Sequence, residues 1–301
     1  MKPRFLLLTF LLVFTILLSA CVDQPPKQSA QVPIPDTVPA VSGTVEIHFP
    51  SVGKADAIIM LTANQTIVID LGESDDGARV ANTLQTLGRD HIDMLIITHF
   101  DKDHVGGFST VSQRISIGKI YYSNYRNDRP ECIDFYRQIE EEQMDALAVT
   151  EDIALTVDDI YMTIQPTKTA VFNSDASQMQ GNDNDMSLLV SVWHGKIRML
   201  FTGDAEDVRL REIMKSNVRA QFLKVPYHGN ALGFSKGFFD AVRPEYAVIC
   251  DSKKYPANAT VLALLKNLNA TTMCTREGDI TLISDGKVLN MTQKTKDGAG
   301  E

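Results

Sequence analysis

The ten residues Thr98-His99-Phe100-Asp101-Lys102-Asp103-His104-Val105-Gly106-Gly107 constrain this chain more than any other stretch. They place two imidazoles and two carboxylates between positions 99 and 104, directly after the apolar strand Met94-Leu95-Ile96-Ile97. Groups of this kind, buried together, repel or stay unpaired unless a cation joins them. The loop therefore reads as a holder of metal ions. His99, Asp101 and His104 can converge on one side of it while Asp103 turns to a second point, and Gly106-Gly107 then lets the backbone leave without a side chain in the way. The plainer alternative is a solvated acidic loop with incidental histidines.

The 301 residues are 44% hydrophobic, enough for one large core, and show no internal repeat. The formal charge is -9, and without the first twenty residues, which carry Lys2 and Arg4 and no acid, it falls by two to -11. That balance excludes a broad basic face for gripping nucleic acid, though not a phosphodiester held mainly by metal ions. Lys2 and Arg4 precede an apolar run from Phe5 to Leu18, and Leu18-Ser19-Ala20-Cys21 follows. This resembles the signal and lipobox of bacterial lipoproteins, with Cys21 diacylated; the apolar run is shorter than the roughly 20 residues of a membrane span. The expected organisation is a signal peptide at 1–20, a lipidated Cys21 and proline-rich linker at 21–43, a hydrolase domain at 44–292 and a polar tail at 293–301. Five prolines between Val22 and Gly43 make the linker extended and semi-rigid. The chain would then work on the extracytoplasmic face of a cell membrane. Cys132, Cys250 and Cys274 lack any CxxC spacing, which speaks against structural zinc. Cys250 and Cys274 could pair in an oxidising compartment, but buried thiols are the favoured reading.

Hydrophobic periodicity predicts strands at 44–49, 57–61, 66–70, 94–98 and 118–123, with helices at 78–87 and 133–147. Downstream it predicts a hairpin of 187–193 and 196–202 around His194-Gly195, then a helix over 206–216. Strands follow at 222–226, 246–250, 271–275 and 279–284, with a helix at 258–268. Strands alternating with helices, and polar clusters at strand ends, imply sheets flanked by helices with a site along one edge.

Three further stretches carry suitable chemistry at such ends. Asp204 follows Thr202-Gly203 and is a bridging candidate for two cations, or else a helix N-cap. His228 follows the strand Leu223-Lys224-Val225 and precedes Gly229. Asn182-Asp183-Asn184-Asp185-Met186-Ser187 is a polar knot, or an ordinary turn. His48, His91 and His194 read as surface histidines. Arg209, Arg211, Lys215 and Arg219 read as a solvated basic flank, or else a phosphate-steering strip.

Together these residues make a pattern that resembles metallo-β-lactamase-fold hydrolases, in particular the subgroup with the extracellular nuclease domain of ComEC-type competence (DNA-uptake) proteins. Thr98 to Gly107 reproduces its T-H-x-D-x-D-H-x-G-G motif. Phe49 to Ala57 echoes F-x-D-V-G-Q-G-D-A, and Ile69-Asp70-Leu71-Gly72 echoes I-D-G-G. Asn184 to Val190, Thr202 to Asp204, Leu223 to Asn230 and Thr275 to Ile280 supply the later elements in order. The resemblance covers residues 45 to 291. It implies an α/β (α+β) fold, a single-domain four-layer αββα sandwich, and a cleft holding two divalent metal ions. His99 and Asp101 would bind the first metal and Asp103 with His104 the second; Asp204 would bridge them and His228 would complete the second position. Asp103, Asp204 and His228 are also the expected catalytic residues. Asn184, Lys224, Tyr227 and Asp70 are expected near metal or substrate. Asp101, where lactamase-type loops have histidine, makes the first position richer in oxygen and favours Mn²⁺ while still admitting Zn²⁺. Ser51, Lys54-Ala55, Tyr227 and Tyr255-Pro256 depart from the subgroup's residues, and these changes bear on substrate preference.

The resulting expectation is a membrane-tethered, extracytoplasmic, metal-dependent hydrolase, a phosphodiesterase or nuclease that activates water at two metals. Its partners would be the membrane, through Cys21, and DNA or another phosphodiester; no protein partner is inferable, and any role in competence would be accessory. A first alternative is a hydrolase of a small phosphodiester, an envelope phosphoester or a lactone, since no stacking aromatics are evident on a basic stripe. A second is a non-catalytic lipoprotein binding module on the same fold.

Overall fold

The computed structural model describes residues 38–168 and 183–295. Cys21, the signal segment, Asn182, most of the linker and the end of the tail lie outside the described residues. In chain order the strands are β1 (Val45–Phe49), β2 (Ala57–Leu61), β3 (Thr66–Leu71), β4 (His91–Ile97), β5 (Ser116–Ser123), β6 (Ala146–Val149), β7 (Ile153–Val157) and β8 (Ile160–Gln165). They continue as β9 (Leu189–His194), β10 (Ile197–Phe201), β11 (Phe222–Lys224), β12 (Tyr246–Ile249), β13 (Thr271–Cys274), β14 (Gly278–Ser284) and β15 (Leu289–Thr295). The helices are α1 (Gly77–Thr86), α2 (Lys102–Val105), α3 (Phe108–Ser112), α4 (Pro130–Glu141), α5 (Asp207–Ile213), α6 (Ser235–Val242) and α7 (Ala259–Asn267). None of the described helices is long and apolar enough to cross a membrane.

One sheet runs β15-β14-β1-β2-β3-β4-β5-β6 and the other β13-β12-β11-β10-β9-β8-β7. In each, four neighbouring strands are parallel: β3 to β6 in the first and β10 to β13 in the second. Period-2 alternation decides which side chains meet between the sheets. Ile58 and Met60 of β2 join Met199 and Phe201 of β10 in the central core. Ile59 and Leu61 face the other way, with Val80 and Leu84 of α1, Phe108 of α3 and Phe135 of α4. Leu200 and Leu223 do the same on the second sheet, under Leu210 of α5, Phe238 of α6 and Val261 of α7. Helices cover both outer faces, so the expected αββα sandwich is what these residues build.

Several elements differ from the sequence reading. The helix read over 133–147 stops at Glu141, because Gln143 takes a left-handed φ of 51°, and residues 146–149 become β6 instead. The β7–β8 hairpin, α6 and β15 were not expected, and β15 reaches Thr295, inside the segment read as a tail. His194 is not a surface residue. It is fully buried, with Nδ1 2.9 Å from Ser284 Oγ and Nε2 3.6 Å from Asp159 Oδ2. Arg209 is also buried, donating to the Ser187 and Gln165 carbonyls and pairing with Glu212, so it cannot steer phosphates. Cys132, Cys250 and Cys274 are free, buried thiols.

Candidate metal centre

The site lies at the carboxyl ends of the parallel strands, where connections leave the sheets and backbone groups open into the cleft. β4 feeds the loop of His99 and Asp101, and α2 carries Asp103 and His104. Glycine is required beyond it: a Cβ at Gly106 would strike the Lys102 carbonyl, and one at Gly107 the Leu71 carbonyl. β10 delivers Asp204 through Thr202-Gly203. β11 delivers Lys224 from its inward face and then His228 through a turn in which Tyr227 and His228 both take φ of 50°. Two successive left-handed non-glycine residues are costly, and such geometry persists where the surrounding structure enforces it.

Asp103, His104, Asp204 and His228 form one cluster, with donor atoms all within 4.8 Å of one another. His228 Nε2 sits 3.0 Å from Asp204 Oδ2 and 3.4 Å from Asp103 Oδ2, and His104 Nε2 sits 3.4 Å from Asp204 Oδ2. The far nitrogens are tied back. His228 Nδ1 is 2.8 Å from the Cys250 carbonyl, and His104 Nδ1 is 2.8 Å from Asp70 Oδ2. His99 Nδ1 lies 3.1 Å from Thr98 Oγ1 and 3.4 Å from Ser187 Oγ, and its ring packs 4.0 Å from that of His104. In all three rings Nε2 is buried and makes no hydrogen bond among the described residues. His104 and His228, oriented through Nδ1 with idle Nε2 atoms beside two carboxylates, fit a metal, because a ligating histidine commonly gives its other nitrogen to a carboxylate or carbonyl. A divalent cation suits this mixed nitrogen and oxygen set.

The charges are strongly coupled. Burial works against ionising Asp204, yet His228, His104 and Lys224 hold its carboxyl well below the usual range. Burial likewise opposes protonation of His104 and His228. The carboxylates of Asp204 and Asp70 nevertheless raise His104 well above the ordinary value, and Asp204 with Asp103 pushes His228 up to about 9. His99, buried and beside His104, is driven well below it. The surrounding carboxylates thus favour positive charge at His104 and His228.

The remaining expected residues fall around this cluster in different ways. Asp70 is fully buried at φ 58°, accepting from Thr98 N at 2.8 Å and Thr98 Oγ1 at 2.6 Å besides facing His104. Lys224, with no exposed surface, pairs with Asp56, lies 3.4 Å from Asp204 Oδ1 and donates to the Gly203 carbonyl at 3.0 Å. Tyr227 is half-buried at the rim. Asp101 is drawn aside to Arg129, and Asn184 Nδ2 donates to Glu206 Oε1 at 2.7 Å. Asp56 was not singled out in the sequence. It is buried against Lys224, 3.6 Å from His228 Nδ1, and groups with Asp70 and His104. Its place in the Phe49–Ala57 stretch was the signal that could have found it.

Comparison with known proteins agrees with this geometry. Over 233 residues the chain is 25% identical to "Competence protein ComA" of Neisseria gonorrhoeae, covering 75% of this chain and 30% of that one. It is 22% identical over 235 residues to "ComE operon protein 3" of Bacillus subtilis (strain 168), covering 71% of this chain and 29% of that one. The chain therefore spans about a third of the length of these curated relatives. Among solved structures, the metallo-beta-lactamase fold protein YhfI from Bacillus subtilis superposes with a TM-score of 0.52 at 11% identity, covering 83% of this chain and all of that one. Residues 51–250 match the Metallo-beta-lactamase superfamily, and with its αββα sandwich and strand-end histidine–aspartate cluster the chain belongs to that superfamily.

Proposed function

We propose that this metal-dependent hydrolase is a phosphodiesterase with nuclease-like activity, tethered by Cys21 to the extracytoplasmic face of a membrane. The observation that carries the reading is the convergence of the His104 and His228 Nε2 atoms on Asp103 and Asp204, with the His99 ring packed against that of His104. Two divalent ions, Mn²⁺ or Zn²⁺, would make the full complement: His104, His228, Asp103 and Asp204 would hold one, and His99 with Asp101 would help hold the other. Bound there, they would polarise a phosphoryl oxygen, acidify a water and offset charge on both attacking and leaving oxygens. Asp70 and the Cys250 carbonyl keep His104 and His228 in the tautomer that presents Nε2. Lys224 fixes Asp204 from behind.

A cleft of about 760 Å³ opens beside Asp103 and His228, bordered by Lys54, Lys102, Lys254 and Tyr255. Lys54 lies over the Tyr227 ring at 5.7 Å and Lys254 over the Tyr255 ring at 5.0 Å. Aromatic faces beside cations, which were not evident in the sequence, support a substrate carrying both a base and a phosphate. The relatives named for competence support DNA. Glu73, Asp75 and Asp76 also border the cleft, which favours a small phosphodiester as the second reading.

The test is hydrolysis of single-stranded DNA and of bis-p-nitrophenyl phosphate by the chain loaded with Mn²⁺ or Zn²⁺, beside an Asp103→Ala, His104→Ala double variant. Cleavage of both substrates, lost in the variant, supports the nuclease reading. Cleavage of the small diester alone moves it to a small-molecule phosphodiesterase, and turnover of neither refutes it.

A further inference from the structure

The two cation positions are not equally ready. Asp103, His104, Asp204 and His228 already stand together, but Asp101 and His99 do not join that group. His99 is in place: it is fully buried, its ring packs at a tilt against His104, and its Nε2 is idle. Asp101 is what is missing. Its Oδ1 is paired with Nη1 of Arg129, the residue just before Pro130 opens α4. The other terminal nitrogen of that guanidinium lies 3.4 Å from Asp183 Oδ2, which Asn127 Nδ2 also reaches at 2.7 Å. Arg129 thus bridges two carboxylates on the side of the site where the second cation would sit. A planar, permanently charged fork is well matched to that task.

We propose that Arg129 is a built-in competitor for the second cation. Resting on the metal reading above, the inference is that the protein fills the Asp103–His104–Asp204–His228 position first. The His99–Asp101 position fills only when Arg129 releases Asp101. The Arg129 side chain is 40% exposed, so it can swing outward without opening a cavity in the core. A carboxylate cannot serve both partners at full strength. Each tenfold difference between the two constants corresponds to about 1.4 kcal/mol.

The experiment titrates the full chain, stripped of metal, with Mn²⁺ alone and follows the electron paramagnetic resonance signal, which separates free ion, isolated bound ion and exchange-coupled pairs. The wild type is expected to bind one ion tightly and a second about tenfold or more weaker. In Arg129→Ala the second constant should tighten about tenfold while the first stays within about twofold, and coupled pairs should form at lower Mn²⁺. Arg129→Lys keeps the charge but not the fork, so its second constant should fall between those of wild type and Arg129→Ala; Arg129→Gln, which removes the charge, stands in should the alanine variant unfold, as judged by circular dichroism. Equal constants in the wild type, or an unchanged second constant in Arg129→Ala, would overturn the proposal while leaving the two-cation reading intact. Absence of any bound ion in either protein would overturn both.

Discussion

Asp70 offers a clean perturbation, because the one proposed ligand it contacts directly is His104. Its carboxylate is fully buried, takes two hydrogen bonds from Thr98 and meets His104 Nδ1 at 2.8 Å. Asp70→Asn preserves shape and still offers an oxygen to the Thr98 N–H. The residue sits at φ 58°, a conformation asparagine tolerates and alanine does not, so the amide avoids added backbone strain. What is lost is the negative charge that orients His104 and raises the basicity of Nε2. Replacing such a partner costs about 10- to 100-fold in metal affinity, or about 1.4–2.8 kcal/mol. Isothermal titration with Mn²⁺, checked by competition with a chelator of known affinity, measures it directly, and thermal unfolding of the metal-free protein confirms that the fold survives. A folded Asp70→Asn variant with metal affinity within about twofold of wild type would refute the assignment of His104 Nε2 as a ligand.

Other outcomes follow from the same geometry. His228 is raised to about 9, burial being outweighed by Asp204 and Asp103. Its protonation therefore stabilises the metal-free chain fully below about 6.5, and that contribution fades as pH climbs through 9. A cation must displace this proton, so metal uptake near neutral pH should release protons and tighten as pH rises toward 9; titrations in buffers of different ionisation enthalpy that detect no release would count against it. Gly107→Ala should cost about 1–3 kcal/mol by driving a methyl into the Leu71 carbonyl, read as a lowered Tm. Lys224→Met leaves Asp56 and Asp204 without their buried cation and should destabilise the metal-free protein by about 3–5 kcal/mol in urea unfolding. Substituting Lys54 and Lys254 by alanine should flatten the salt dependence of single-stranded DNA binding by about 0.7 per lost phosphate contact; an unchanged slope would place the strand elsewhere.

Legibility in the sequence followed locality. Thr98–Gly107, Asp204 and His228 sit at strand ends, where apolar alternation halts at a polar residue beside glycine, so both their position and their chemistry show in one dimension. The β7–β8 hairpin was missed because Asp158-Asp159 gives a turn without glycine or asparagine. Arg209 was misread because its helical position suggests solvent, whereas the Ser187 and Gln165 carbonyls that bury it come from segments distant in sequence. The same applies to His194, whose partners are Ser284 and Asp159. Arg129 escaped because it is an ordinary charged residue locally, and only folding brings it to Asp101; Asp56 carried a signal in the Phe49–Ala57 stretch, but its pairing with Lys224 is visible only in the fold.

The central claim is that the cluster at the strand ends is a metal centre, and metal content tests it most directly. Elemental analysis after gel filtration of the full chain, expressed with Mn²⁺ or Zn²⁺ supplied, should find a divalent ion retained by the wild type and lost from the Asp103→Ala, His104→Ala variant. A folded wild type without metal, or a double variant that keeps the same content, would contradict the account.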